Sequence, residues 1–203
     1  MGMAGAALAY AFYRFEKSRL SSKEIALIAA LAAIAALGRI PFGALPSLQP
    51  TTFIVIVSGY VFGPAPGFFV GAAAAFVSNI FLGHGPWTVW QMLAWGICGG
   101  SAGVLGIVRP ATSRGFMLVF AALWGYLFGW IMNLWYWISF VYPLSFSSWL
   151  AVNSVSFPFD TLHAAGNVGF ILVLWNGFVK TLCFFKKRLE VSSIEYYNEA
   201  RQE

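Results

Sequence analysis

The chain has 203 residues, 60% hydrophobic and only 9% charged, with a mean hydropathy of +0.75. A soluble domain of this size carries about 25% charged residues, yet between Lys23 and Lys180 the only charges are Glu24, Arg39, Arg109, Arg114 and Asp160. No water-facing surface can be built from so few, which excludes a soluble fold and implies an integral membrane protein. The net charge of +5 is then read through the topology rule for helix-flanking basic residues, not as a nucleic-acid footprint.

In chain order, the apolar run before Arg14 is too short for a bilayer that needs roughly 20 residues. Residues 1–20 are expected to form an interfacial helix or an unstructured start. The first spanning helix begins at Ser21 or Ser22, where Glu24 completes a capping box with Ser21. It continues as "EIALIAALAAIAALG" to Gly38, with Arg39 and Pro41 just beyond. A second apolar segment, Thr51 to Phe62, is closed by "GPAPG"; a third runs from Phe68 to Leu82. Both are short at about 1.5 Å of rise per residue. Either their ends reach into the flanking loops, or they cross protein interior instead of lipid.

The fourth segment runs from Trp87 to Val108, the fifth from Phe116 to Phe140 and the sixth from Thr161 to Phe185. A polar-aromatic connection, "VYPLSFSSWLAVNSVSFPFD", joins the last two. The expected fold is an all-α membrane protein: a compact six-transmembrane-helix bundle over residues 21–187, followed by a tail over 188–203. Arg14, Lys17, Arg19, Lys23, Arg109, Arg114, Lys180, Lys186, Lys187 and Arg188 all fall on one side of six spans, which makes both ends cytoplasmic. Arg39 alone falls on the other side. Cys98 and Cys183 lie in apolar segments with no metal or disulfide spacing and are read as packing residues.

Small residues recur at four-residue spacing, which lets helix backbones approach closely in lipid. On the first helix these are Ala26 with Ala30, Ala29 with Ala33, and Ala32 with Ala36. They suit either an internal contact or a docking face for a partner subunit. Gly96 with Gly100, Gly99 with Gly103, and Ala102 with Gly106 on the fourth helix read as seams within the bundle.

Polar side chains are costly within lipid and turn toward a cavity or one another. Here they concentrate on the outward side. Arg39 and Gln49 lie in the first outer loop; Asn79, His84, Trp87 and Gln91 surround the second, with Trp95 one turn further on. Asn133 and Trp137 lie in the outer half of the fifth helix, and Asp160, His163 and Asn167 in the third loop and the sixth helix. Trp87, Gln91 and Trp95 share a helix face. Together these twelve residues predict an outward-facing pocket. Arg39 can reach lipid phosphates, pair with Asp160, or meet an anionic ligand group. Asp160 and His163 alone do not make a metal site, so no metal or cofactor is expected. No nucleophile–base set and no phosphate-binding loop is visible, so neither an enzyme nor an ATPase is expected.

The stretch "GRIPFGALPSLQPTTFIVIVSGYVFGPAPGFFVGAAAAFVSNIFLGHGPWTVWQMLAWG", Gly38 to Gly96, resembles the substrate-binding membrane subunits, or S components, of energy-coupling factor transporters. The resemblance implies high-affinity vitamin capture in a pocket near the outer surface of a prokaryotic plasma membrane, with the Arg39–Gln49 loop as a gate. It also implies association with a transmembrane coupling subunit and two cytoplasmic ATPases, which explains the missing nucleotide motifs. Ala26, Ala29, Ala30 and Ala33 would form the docking face for the coupling subunit. The Gly-Pro-Trp and Trp-Gln elements are similar to those of S components associated with cobalamin or a corrinoid precursor, although His84 stands where a glutamine is expected. From the residues alone, a ligand-free scaffold subunit and a small membrane enzyme acting on lipids remain as alternatives.

Overall fold

The computed structural model describes residues 2–17, 21–45 and 47–199. Arg19, the side chain of Arg14 and tail residues 200–203 lie outside that description. Among the described residues there are seven helices: α1 (Gly2–Glu16), α2 (Ser22–Arg39), α3 (Thr51–Phe62), α4 (Pro64–Leu82), α5 (Trp87–Val108), α6 (Arg114–Phe140) and α7 (Phe146–Glu199). Of these, α4, α5, α6 and the Phe146–Leu189 part of α7 are long and apolar enough to cross a membrane.

Several boundaries differ from the sequence expectation, each for a local reason. The capping box is present: Ser21 N donates to Glu24 Oε2 at 2.8 Å and Glu24 N donates to Ser21 Oγ at 3.3 Å. At its far end α2 passes Gly38 and ends with Arg39. The Gly63-to-Gly67 stretch is not a long turn, because Gly63 alone reverses the chain at φ 102° and Pro64 opens α4. Proline suits a first helical turn, where its missing N–H would have no partner.

The largest departure is in the last connection, which is helical from Phe146. Ser145 N donates to Ser148 Oγ at 3.1 Å, and Ser148 N donates to Ser145 Oγ at 3.2 Å. This reciprocal serine cap starts α7 upstream of Pro158, which α7 carries inside it. The N-terminal segment is also more than an interfacial helix. It packs along α5 and buries Ala4 and Leu8, with Phe12 edge-on to Phe69 at 5.2 Å.

α3 occupies the centre. Its 12 residues rise only about 18 Å, well short of a hydrocarbon core of about 30 Å. Its residues from Thr51 to Gly59 are all buried, with α2, α4, α5, α6 and α7 around it. For this segment, crossing protein interior is the explanation that applies, whereas the third segment gains its length by reaching into the flanking stretch from Pro64. The α3–α4–α5 unit is held at backbone contact. A methyl group on Gly99 would overlap the Gly67 carbonyl, one on Gly59 the Gly99 carbonyl, and one on Gly103 the main chain at Gly63 and Pro64. Lipid-phase packing depends on such close approach.

The alanines of α2 divide by face. Ala32, Ala35 and Ala36 are buried toward the bundle, whereas Ala26, Ala29, Ala30 and Ala33 are exposed.

Candidate functional site

At the end of the bundle where α2 and α4 finish and α3 and α5 begin, a cavity of about 240 Å³ opens. Arg39, Gln49, Gln91, Trp95, Asn133, Asp160 and His163 line it, together with Ser47, Phe128, Gly129 and Met132. Seven of the twelve residues expected to form a pocket therefore surround one space, and they come from α2, α5, α6, α7 and the loop before α3.

Arg39 is the centre of one wall. Although it ends α2, its side chain does not reach outward to lipid phosphates; the residue is 9% exposed. Its Nη1 donates to Ser78 Oγ at 2.7 Å and Asn79 Oδ1 at 2.6 Å, and its Nε donates to Gln49 Oε1 at 3.2 Å. The guanidinium also stands 5.0 Å over the Trp95 ring. Nor does it pair with Asp160: its hydrogen-bond partners among the described residues are all neutral. A buried cation without a counter-charge is expensive. Two features offset this. The last turns of α2 and α4 meet here, and each C-terminus carries roughly half a negative charge. The Trp95 face adds a cation–π attraction.

Asn79 is buried behind that wall and does not line the cavity. Its Nδ2 donates to Gln91 Oε1 at 2.7 Å and to Thr88 Oγ1 at 3.0 Å. The floor is aromatic: Trp95 and Phe128 have ring centroids 4.5 Å apart, and His163 meets Phe128 edge-on at 5.2 Å. Trp95 Nε1 donates to Thr52 Oγ1 at 3.0 Å, and Thr52 Oγ1 lies 2.8 Å from His163 Nε2.

The opposite wall belongs to α6 and α7. Asn133 Nδ2 donates to Asn153 Oδ1 at 3.0 Å and to Ser156 Oγ at 2.6 Å, and Ser156 Oγ donates to Asp160 Oδ2 at 3.0 Å. The Asp160 carboxylate fits because its neighbour on α6 is Gly129; a methyl group there would overlap Oδ1. The loop between α2 and α3 adds Ser47 and Gln49 to the lining. Its Gly43 lies against Leu82, and its Leu48 sits over Gly166, where a side chain would strike it.

Four expected residues lie elsewhere. His84 is exposed, beside Phe76 at 5.1 Å and Thr88 Oγ1 at 3.4 Å. Trp87 shares the α5 face with Gln91 but sits one turn higher, edge-on to Trp135 at 6.1 Å. Trp137 Nε1 donates to Ser148 Oγ at 2.8 Å, tying α6 to the start of α7. Asn167 is fully buried and donates to the Ala121 carbonyl at 3.1 Å.

Sequence reasoning missed Ser47, Phe128, Gly129 and Met132 as lining residues, and Thr52, Ser78 and Ser156 as hydrogen-bond partners of Trp95, Arg39 and Asp160 respectively. Two adjacent threonines opening an otherwise apolar segment, at Thr51 and Thr52, were a usable signal. Gly129 offered none.

The profile of the family described as "ECF transporter, substrate-specific component" matches residues 23–180. The chain belongs to that family. The family is one of transporter subunits and not of enzymes, and the span-length apolar helices make the chain a multi-pass membrane protein. Among curated proteins, this S component is 30% identical over 94 residues to a UPF0397 protein of Aliivibrio fischeri (strain MJ11), covering 44% of the chain and 51% of the relative. It is 32% identical over 94 residues to a UPF0397 protein of Aliivibrio salmonicida, with the same coverage. A UPF0397 protein of Vibrio atlanticus is 33% identical over 84 residues, 39% of the chain and 46% of the relative. The S component thus spans about half the length of the curated relatives it matches. No solved structure matches it.

Proposed function

We propose that this S component captures a small vitamin or vitamin precursor at the outer face of the prokaryotic plasma membrane, with both chain ends cytoplasmic. It then passes the ligand to a transmembrane coupling subunit driven by two cytoplasmic ATPases. The observation that carries this reading is the cavity itself: a buried cation, a carboxylate, three amides and an aromatic floor converge on one space. A scaffold without a ligand would have no use for a guanidinium desolvated beside an open cavity, since apolar packing would be more stable there.

Size bears on the substrate. Drug-sized ligands occupy pockets of about 300–1,000 Å³, and this cavity is about 240 Å³. A corrinoid, larger still, does not suit it in this conformation, so a smaller ring-bearing molecule is favoured over cobalamin. The exposed quartet Ala26, Ala29, Ala30 and Ala33 on α2 offers the coupling subunit a surface on which backbones can meet closely. The test is equilibrium binding of a panel of water-soluble vitamins and their ring precursors to the purified full chain. Saturable binding of a small member supports the reading. Absence of binding across the panel, with the protein folded, removes it.

A further inference from the structure

Hydrogen-bond donors and acceptors around the cavity are not arranged symmetrically, and the reason can be traced atom by atom. A guanidinium can only donate. Arg39 therefore obliges Asn79 to present Oδ1, which turns Nδ2 toward Gln91; Gln91 must then accept through Oε1. The Arg39 Nε bond likewise consumes Gln49 Oε1. With both glutamine oxygens occupied, Arg39 Nη2, Gln91 Nε2 and Gln49 Nε2 are left without a partner among the described residues. The unpartnered nitrogens at this end of the cavity are therefore all donors.

The opposite end is set by the Asp160 carboxylate, which only accepts when ionised. The Ser156 hydroxyl proton is directed at Asp160 Oδ2 and the Asn153 carbonyl, and its oxygen receives from Asn133 Nδ2. The second Asn133 N–H goes to Asn153. Asn133 Oδ1 and Asp160 Oδ1 therefore remain unpartnered among the described residues, so this end offers acceptors only. Between the two ends, Trp95 Nε1 can only donate, so Thr52 Oγ1 accepts from it and also lies 2.8 Å from His163 Nε2.

We infer that the ligand is a two-ended planar molecule: an acceptor or anionic group directed at Arg39, Gln91 and Gln49, and a donor or cationic group directed at Asp160 and Asn133, with its ring against Trp95 and Phe128. This rests on the capture reading above and narrows it to a polarity and a size. Purely acidic ligands would leave the Asp160 end opposed by like charge, and purely basic ones would place a cation against Arg39.

The test uses the full chain in nanodiscs. It is incubated with an equimolar mixture of water-soluble vitamins and three probes, 4-(aminomethyl)benzoate, benzoate and benzylamine, and the retained compounds are identified by mass spectrometry before titration. The expected result is retention of ring compounds bearing both kinds of group. The two-ended probe should bind at least tenfold more tightly than either one-ended probe. Asp160→Asn should abolish its advantage over benzoate while leaving benzoate affinity equal or higher. Retention of acidic compounds alone, or an unchanged preference in folded Asp160→Asn, overturns the polarity assignment and leaves capture standing. Retention of nothing removes both. Should Asp160→Asn not fold, Asn133→Ala, which deletes the other acceptor at that end, is read in the same way.

Discussion

The two walls of the cavity come from parts of the molecule built in different ways. On one side, α3, α4 and α5 are locked by glycines whose main chains touch, and α3 is buried along nearly all its length. On the other, the first part of α7 packs on α6 and leaves large apolar side chains outside, including Phe146 and Val155, each 76% exposed. Buried apolar contact is what resists local opening. The Arg39–Gln91–Trp95 wall is therefore anchored to the buried centre of the protein. The Asn133–Asp160 wall has its own close seam, Gly125 on the Ala164 main chain, but its outer end is tied to α6 by side-chain hydrogen bonds from Asn133 and Trp137. The difference teaches how such a site divides its construction: one face is set by packed main chain, and the outer end of the other is set by side-chain hydrogen bonds.

The strongest way to break this comparison is to disrupt the fixed side. Gly99→Val places a branched side chain into the Gly67 carbonyl. Overpacking of a filled interior costs about 1–3 kcal/mol, and occasionally more; with main chain as the obstacle, the upper end or beyond is expected. Thermal unfolding of the purified protein should show a large drop, with binding lost in parallel. Survival of normal stability would mean that the α4–α5 seam is looser than described.

Next in size is a change that should leave both walls intact. Ala30→Trp covers the exposed small-residue face of α2 with a bulky ring while pointing away from the cavity. Uptake in cells carrying the full transporter should fall to background, with ligand affinity and unfolding temperature unchanged. Loss of binding as well would return this face to a role inside the fold.

How much of this could be read from the sequence depended on whether a residue's chemistry was affordable in lipid. Arg39, Gln91, Asn133 and Asp160 stood out because an amide or charge in an apolar helix must have a partner, and each has one. Trp95 was found through its spacing from Gln91. The same spacing misplaced Trp87, because sharing a helix face says nothing about depth along the axis, and one turn higher the face meets Trp135 instead of the cavity. Phe128, Gly129 and Met132 were illegible since an apolar residue lining a cavity looks like one filling a core. In the fold, the α2 capping box was visible in four residues, while the start of α7 was hidden. Its cap is made by two serines within a serine-rich stretch, and the helix carries Pro158 inside it.

A smaller effect tests the fixed wall from within. Gln91→Ala deletes one cavity donor and also leaves Asn79 Nδ2 with Thr88 as its remaining partner. A hydrogen bond is worth a net of about 1 kcal/mol, so affinity for the captured ligand should weaken by roughly five- to tenfold, with little change in stability. Unchanged affinity in isothermal titration would take Gln91 out of the site.

The smallest effect is the sharpest contrast, because one chemical change is made in both regions. Gly71 and Gly169 are both helical glycines; a methyl group at Gly71 would overlap the Trp95 carbonyl, whereas nothing lies within 4 Å of the corresponding position at Gly169. Glycine within a helix is less stable than alanine by roughly 0.5–1 kcal/mol. Gly169→Ala should therefore raise the unfolding temperature slightly, since the backbone gains helix propensity and no neighbour must move. Gly71→Ala gains the same propensity but forces α4 and α5 apart, and should lower it. Opposite signs for the same substitution would place the rigidity in the glycine seam, and equal signs would show that the α4–α5 seam yields to an added methyl group.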